Sequence, residues 1–462
     1  MRKIVLLLLL GWIPLAIAQT PAAGPIQAEA QLSPQAAYDQ AVRPLEITRR
    51  SPQNWSEVEL AALKLAREQA KLACAARNPE QLGGEDLLAL AHLCAFAQLW
   101  QPVYQAATNY LAAQGDPPAA GTQGIVDLAT AFDYKVQASL SLDRPDEAIL
   151  TAQTMLRTVP YSEFASEATN STLHYIRFIK TEKALALLAE RQAIVLGLIK
   201  GYGVKADGPG GAAGEHPGLP LHALYSDALA LPAMEQFANH PADAARSYAE
   251  LETALPGGTS SEDGMLIAEK RRQYLLLGTH LPALKPMGSL ASADAAAPDN
   301  LNRMFLNATV FLLFPDWCNQ CVAMGFNAAA KPKELLEDYH VRFFPLMAQA
   351  NPPERRAVAP IKNVPLPPSK PGKGAQTAMG SLHVDQQLTI KSTPDARLEG
   401  TPTVLAPNET LDAIAAVDFP LVVGVDHNGI IRDLHVTPDD ALAPGGDIDQ
   451  TVLHLLATWP PE

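Results

Sequence analysis

Two thiols three residues apart, Cys318 and Cys321, are the groups in this 462-residue chain best placed to do chemistry. They stand in Asp316-Trp317-Cys318-Asn319-Gln320-Cys321, directly after the apolar run ATVFLLF at 308–314. An unbroken apolar run of this kind reads as a central strand buried on both faces. A helix is predicted over 318–330, ended by Pro332, which puts Cys318 at its N-terminus. Unpaired N–H groups and the helix dipole there favour thiolate over thiol. A thiolate attacks disulfides, and a second thiol one turn on can displace the mixed disulfide that forms.

The other two cysteines, Cys74 and Cys94, lie on apolar helical faces with no charged motif nearby. They are expected to be inert, as buried thiols or as a structural bridge between adjacent helices. The eleven histidines show no HExxH or comparable spacing and there is no second CxxC, so no metal site is expected.

The elements that must hold Cys318 and Cys321 follow from a change of period after residue 284. Strands are expected at 308–314, 341–346 and 403–405, with a short helix at 410–416. Residues 421–425 and 430–435 read as a hairpin. Its turn is Asp426-His427-Asn428-Gly429, where Asn-Gly suits the positive φ angles of a tight turn. A closing helix is expected at 447–459. Residues 350–400 hold a Pro/Lys-rich insertion, and its basic cluster (Arg355, Arg356, Lys362, Lys370, Lys373) reads as a solvated loop.

Trp317-Cys318-x-x-Cys321 after a buried strand, together with FPLVVGVDHNGIIR at 419–432, resembles the thioredoxin superfamily, in the form of its exported thiol–disulfide reductases. The resemblance covers about 284–462 and implies a thioredoxin-like α/β fold. It implies Cys318 as nucleophile, Cys321 as resolving thiol and Trp317 packed beside them. It also implies a cis-proline opposite the pair, whose preceding residue offers backbone groups to an extended substrate. Pro420 matches that position, with Phe419 before it. Pro402, in Gly400-Thr401-Pro402-Thr403, is the rival. The chain departs from the family at Leu312, where thioredoxin keeps a buried acid, and at the dipeptide Asn319-Gln320. No cofactor is implied beyond the redox-active Cys318–Cys321 disulfide. The implied partners are a protein disulfide substrate and a membrane-bound electron donor.

The preceding 250 residues are alanine-rich and helical in period. In DLLALAHLCAFAQLW at 86–100, Leu87, Leu90, Leu93 and Phe96 share one face. Further helices are expected at 103–113, 124–142, 146–159 and 261–277, the last carrying Arg271 and Arg272. RPDEAILTAQTMLRTVP (144–160), with Ala148 and Pro160 in place, resembles the second helix of a tetratricopeptide repeat, and 240–257 echoes it at irregular spacing. An all-α helical-hairpin array over 33–283 is therefore expected, with a Gly/Pro-rich break at 201–220. Such arrays bury a continuous core and present a concave face to a protein partner.

Arg2 and Lys3, the apolar run 4–18 and Ala16-Ile17-Ala18 read as a secretory signal cleaved after Ala18, followed by a flexible lead at 19–32. The expected location is periplasmic or secreted, where paired cysteines tend to be oxidised. A formal charge of −14 without a basic stripe argues against nucleic acid as a partner. The expectation is a multidomain exported thiol–disulfide oxidoreductase with a helical partner-binding module. The competing readings are a helical scaffold carrying a redox-inactive thioredoxin-like domain, and a peroxide reductase.

Overall fold

The computed structural model describes residues 32–48, 57–114, 122–202, 219–257, 259–284, 288–289, 307–318, 321, 331–349, 403–416, 418–437, 442 and 446–460. The expected signal, most of the lead and of the 201–220 break, the 350–400 insertion, Pro402 and most of the predicted helix 318–330 lie outside them.

Eleven helices of the first region are described: α1 (Pro34–Thr48), α2 (Glu57–Ala75), α3 (Glu85–Phe96), α4 (Trp100–Ala113), α5 (Thr122–Ser141), α6 (Pro145–Thr158), α7 (Glu163–Ile176), α8 (Thr181–Gly201), α9 (Leu221–Phe237), α10 (Pro241–Ala254) and α11 (Ser261–Tyr274). Pro145 and Pro241 open α6 and α10, where a missing N–H costs nothing. Consecutive helices pack as neighbours around two apolar clusters, one centred on α3 and α4, the other on α5 to α10. α2 turns Ala62, Ala66, Ala70 and Cys74 inward and leaves Val58, Leu65 and Leu72 exposed. Small residues on the inner face let α2 lie close to α1 and α3.

A buried polar network pins the centre of this region. The fully buried Arg191 donates to Asn170 Oδ1 (2.6 Å) and to the Asp227 carbonyl (3.0 Å). Its guanidinium also lies 3.6 Å from Asp227 Oδ1. The Asp227 carboxylate accepts from Tyr161 Oη at 2.7 Å and Ser166 Oγ at 2.9 Å. A charge taken out of water this far must be paired and hydrogen-bonded, and this one is both.

The second region is α/β. Strands β1 (Gly288–Ser289), β2 (Ala308–Pro315), β3 (Arg342–Gln349), β4 (Val404–Pro407), β5 (Leu421–Asp426) and β6 (Ile431–Val436) form one mixed sheet in the order β1-β4-β3-β2-β5-β6. β4, β3 and β2 run parallel, and β1, β5 and β6 join antiparallel. Helices α12 (Lys331–Tyr339), α13 (Glu409–Ala413) and α14 (Asp447–Thr458) complete it. β2 is central and buried at every position, which is why its sequence is a continuous apolar run. Its alternate residues feed two cores. Val310, Leu312 and Phe314 meet Leu335, Val452 and Leu455, while Phe311 and Leu313 meet Leu281, Leu346 and Val423. Gly424 in β5 permits close approach of α14. A Cβ there would lie 3.1 Å from Asp433 Cβ and 3.2 Å from Thr451 Cγ2.

The hairpin turn is held by Asp426, whose Oδ1 accepts from the N–H groups of Asn428 and Ile430, both at 2.9 Å. Gly429 supplies the positive φ of 80°. The predicted helix 318–330 falls outside the described residues except at Cys318 and Cys321, and the described part of α12 runs from Lys331 through Pro332 to Tyr339.

Candidate functional site

The end of β2 delivers the site. Pro315 is the last residue of the strand. The Asp316 N–H then bonds to the Ala348 carbonyl of β3 (2.9 Å), and the Cys318 N–H turns back to the Pro315 carbonyl (3.1 Å). This tight turn lifts Trp317 and Cys318 above the sheet edge. Cys321, in helical conformation, is fully buried against Val310, Leu312 and Phe314, whereas Cys318 is only partly buried. The two are joined in a disulfide with a Cα–Cα distance of 5.2 Å, and the Cys321 N–H points at Cys318 Sγ at 3.3 Å.

The facing wall comes from β5. Its register sets Leu421 opposite Leu313. The two residues before β5 therefore lie alongside the last residues of β2, next to the cysteine turn. The Phe419–Pro420 peptide bond is cis. Pro420 is buried and its carbonyl accepts from the Thr437 N–H (3.1 Å), while Phe419 is half-exposed. Phe419 stands edge-on to Trp317, with ring centroids 5.8 Å apart at 89°. Cys318 and Phe419 both pack against the apolar cluster that holds Cys321. Cys318, Cys321, Trp317, Phe419 and Pro420 are thus brought together, while Pro402 lies outside the described residues.

Leu312 is fully buried on the same face of β2 as Cys321, so that position offers the buried sulfur no proton acceptor. Cys74 and Cys94 belong to the helical region, in a different apolar cluster from Cys318 and Cys321. They bridge α2 and α3, each at most 1% exposed. Among the described residues no group of three or more histidine, cysteine, aspartate or glutamate side chains could hold a metal ion. No helix among them is long and apolar enough to cross a membrane.

Sequence reasoning missed the ionic seam between the two regions. His435 of β6 lies between two buried carboxylates, 2.8 Å from Asp433 and 3.2 Å from Asp447 of α14. From the C-terminal end of α7, His174 approaches Asp447 (3.5 Å), and Arg177, the residue just after the helix, approaches Asp433 (3.6 Å). Burial pushes Asp433 up, but His435 and Arg177 outweigh it and hold the carboxyl at about 2. His454 stacks on Phe237 of α9 and meets its carbonyl at 2.8 Å. Burial pushes the His454 pKa down. A cavity of about 310 Å³ beside this seam is lined by Leu173, Phe237, Arg177, Lys270 and Asp433. Its cations are already paired, Arg177 with Asp433 and Lys270 with Asp418. The pairs that join the two regions, Arg177 with Asp433 and His174 with Asp447, are distant in sequence, so no local pattern announces them.

Fold and site together define a helical region built onto a mixed α/β sheet that carries a half-exposed disulfide beside a cis-proline. No family model matches the chain, and neither a curated protein nor a solved structure is significantly similar to it.

Proposed function

We propose that the chain is an exported thiol–disulfide oxidoreductase whose α/β region is thioredoxin-like. The observation that carries this reading is the asymmetry of one disulfide. Cys318 is reachable, its partner Cys321 is sealed, and the cis Phe419–Pro420 bond stands beside them. An inert structural bridge needs neither a reachable sulfur nor a backbone ledge next to it. The order of strands around β2 also supports the resemblance, with a parallel neighbour on one side and an antiparallel hairpin on the other.

In the reduced protein, the Cys318 thiolate attacks one sulfur of a substrate disulfide and expels the other as a thiolate, giving a mixed disulfide. Cys321, deprotonated, then attacks Cys318 Sγ. The second substrate sulfur leaves as a thiolate and the Cys318–Cys321 bond is restored. Two electrons and two protons have passed to the substrate, and a membrane-bound dithiol donor must return them. The backbone of Phe419 pairs with the extended substrate segment, and the Trp317 and Phe419 rings form the apolar floor.

The test is turnover and trapping. The reduced protein is expected to reduce insulin disulfides, and Cys318→Ser to abolish this. Cys321→Ala is expected to accumulate a mixed disulfide that resolves on adding a thiol. Absence of both turnover and trapped adduct rejects the proposal.

A further inference from the structure

One set of contacts between the two regions reaches the site itself. α11 runs beside the loop that carries Phe419 and Pro420. Lys270 Nζ lies 2.5 Å from Asp418 Oδ2, one residue before Phe419. Arg272 donates to the Asp412 carbonyl in α13 at 2.8 Å. Behind them, Leu276 and Leu277 pack on the same apolar cluster as Trp317 and Phe419. The chain then continues as an added edge on the hairpin. Gly278 N–H bonds to the Ile431 carbonyl (2.8 Å), Ile431 N–H to the Thr279 carbonyl (2.9 Å) and Leu281 N–H to the Gly429 carbonyl (2.8 Å).

α11 is therefore fixed to the sheet on one side and grips the ledge on the other. The ledge is also anchored by the Pro420 carbonyl on Thr437 and by the Phe419 ring on Trp317, while Lys270 holds the residue just before it. α13 is five residues long, and the chain leaves it through Ala415 at a φ of 51°. A partly exposed pair such as Lys270–Asp418 adds little to global stability. Its consequence is geometric, because a displaced ledge loses its pairing with the bound segment while the reacting sulfur keeps its place.

We infer that α11 is a wall of the substrate groove. Lys270 and Arg272 are positioning residues that hold the Phe419–Pro420 ledge at docking distance from Cys318. The preferred substrate is then a protein segment lying across both α11 and the ledge, not a small free disulfide. This rests on the oxidoreductase reading above.

The test compares an insulin substrate with a small aromatic disulfide, using the full chain. The double variant Lys270→Ala/Arg272→Ala is expected to raise KM for the protein substrate about tenfold or more, with kcat, the Cys318 alkylation pH profile and small-disulfide turnover unchanged. The charge swap Lys270→Asp/Asp418→Lys is expected to recover most of the KM lost in Lys270→Asp. Unchanged protein KM in the double variant overturns the inference. So does an equal loss on both substrates, or a swap that recovers nothing. A parent protein inactive on both substrates rejects the oxidoreductase reading itself, and so is told apart from failure of the brace.

Discussion

Each region carries one disulfide, and the two sit in opposite surroundings. Cys74–Cys94 closes 20 residues between two helices and is sealed at both ends. Cys318–Cys321 closes three and is sealed at one. Chain entropy alone does not separate them, since loops of these lengths are worth about 3 and about 2 kcal/mol respectively. Access does. A bridge buried at both ends exchanges only when the surrounding helices open, whereas a half-exposed one exchanges in the native state. The helical region uses sulfur as a staple; the α/β region, on the proposal above, uses it as a reagent.

The comparison breaks most visibly under mild reduction. In native protein treated with a dithiol and an alkylating agent, Cys318 is expected to label quickly. Cys74 and Cys94 are expected to label on the order of a thousandfold more slowly, because their exposure needs global or near-global opening. Mass spectrometry of the labelled peptides over time reads both rates. Similar rates for the two pairs would erase the distinction.

A second way to sharpen it is to remove the buried cation at the centre of the helical region. Arg191→Ala leaves Asp227 without its buried cation and is expected to cost about 3–5 kcal/mol, read as a lower urea midpoint. Small-disulfide turnover by the molecules that remain folded should be unchanged, since the network from Tyr161 to Asp227 lies apart from Cys318.

How much of this was legible in the sequence depended on whether a signal was local. The apolar run of β2, the Asp426–Gly429 turn and the cysteine spacing each carry their reason within a few residues, and the structure places strand, turn and disulfide there. α6 lies within a residue of the helix expected at 146–159, and α10 falls inside the 240–257 echo. α2 inverts the usual rule by burying alanines and exposing Leu65 and Leu72, since close approach and the Cys74 bridge decide its orientation. The partners of Arg191, the seating of β4 beside β3 and the grip of α11 on Asp418 are set by chain folding across 36 to 148 residues, and hydrophobic period contains none of it.

The smallest expected effect contrasts two buried aspartates. Asp433, at the seam, has Arg177 and His435 beside it and stays ionised. Asp133, buried on α5, accepts from Gln137 at 2.7 Å through Oδ2, while its Oδ1 has no hydrogen-bond partner among the described residues. Burial, and then the Glu167 charge, push its pKa up to about 7 from 3.8. A folded-state pKa above the unfolded one means the folded chain binds the extra proton between about pH 4 and pH 7. The stability this contributes is full below about pH 4 and is lost as pH rises through about 7. Asp133→Asn has no proton to lose, so the variant should gain on the parent by about 3 kcal/mol between pH 5 and pH 8. The difference between the two proteins must be read, because partly buried His92 works the other way: its lowered pKa removes stability as pH falls below 6.5 in both. Paired melting curves at pH 5, 6, 7 and 8 measure the gap. A constant gap would show that the Asp133 carboxyl is ionised throughout, and that the helical region tolerates a buried charge as well as the seam does.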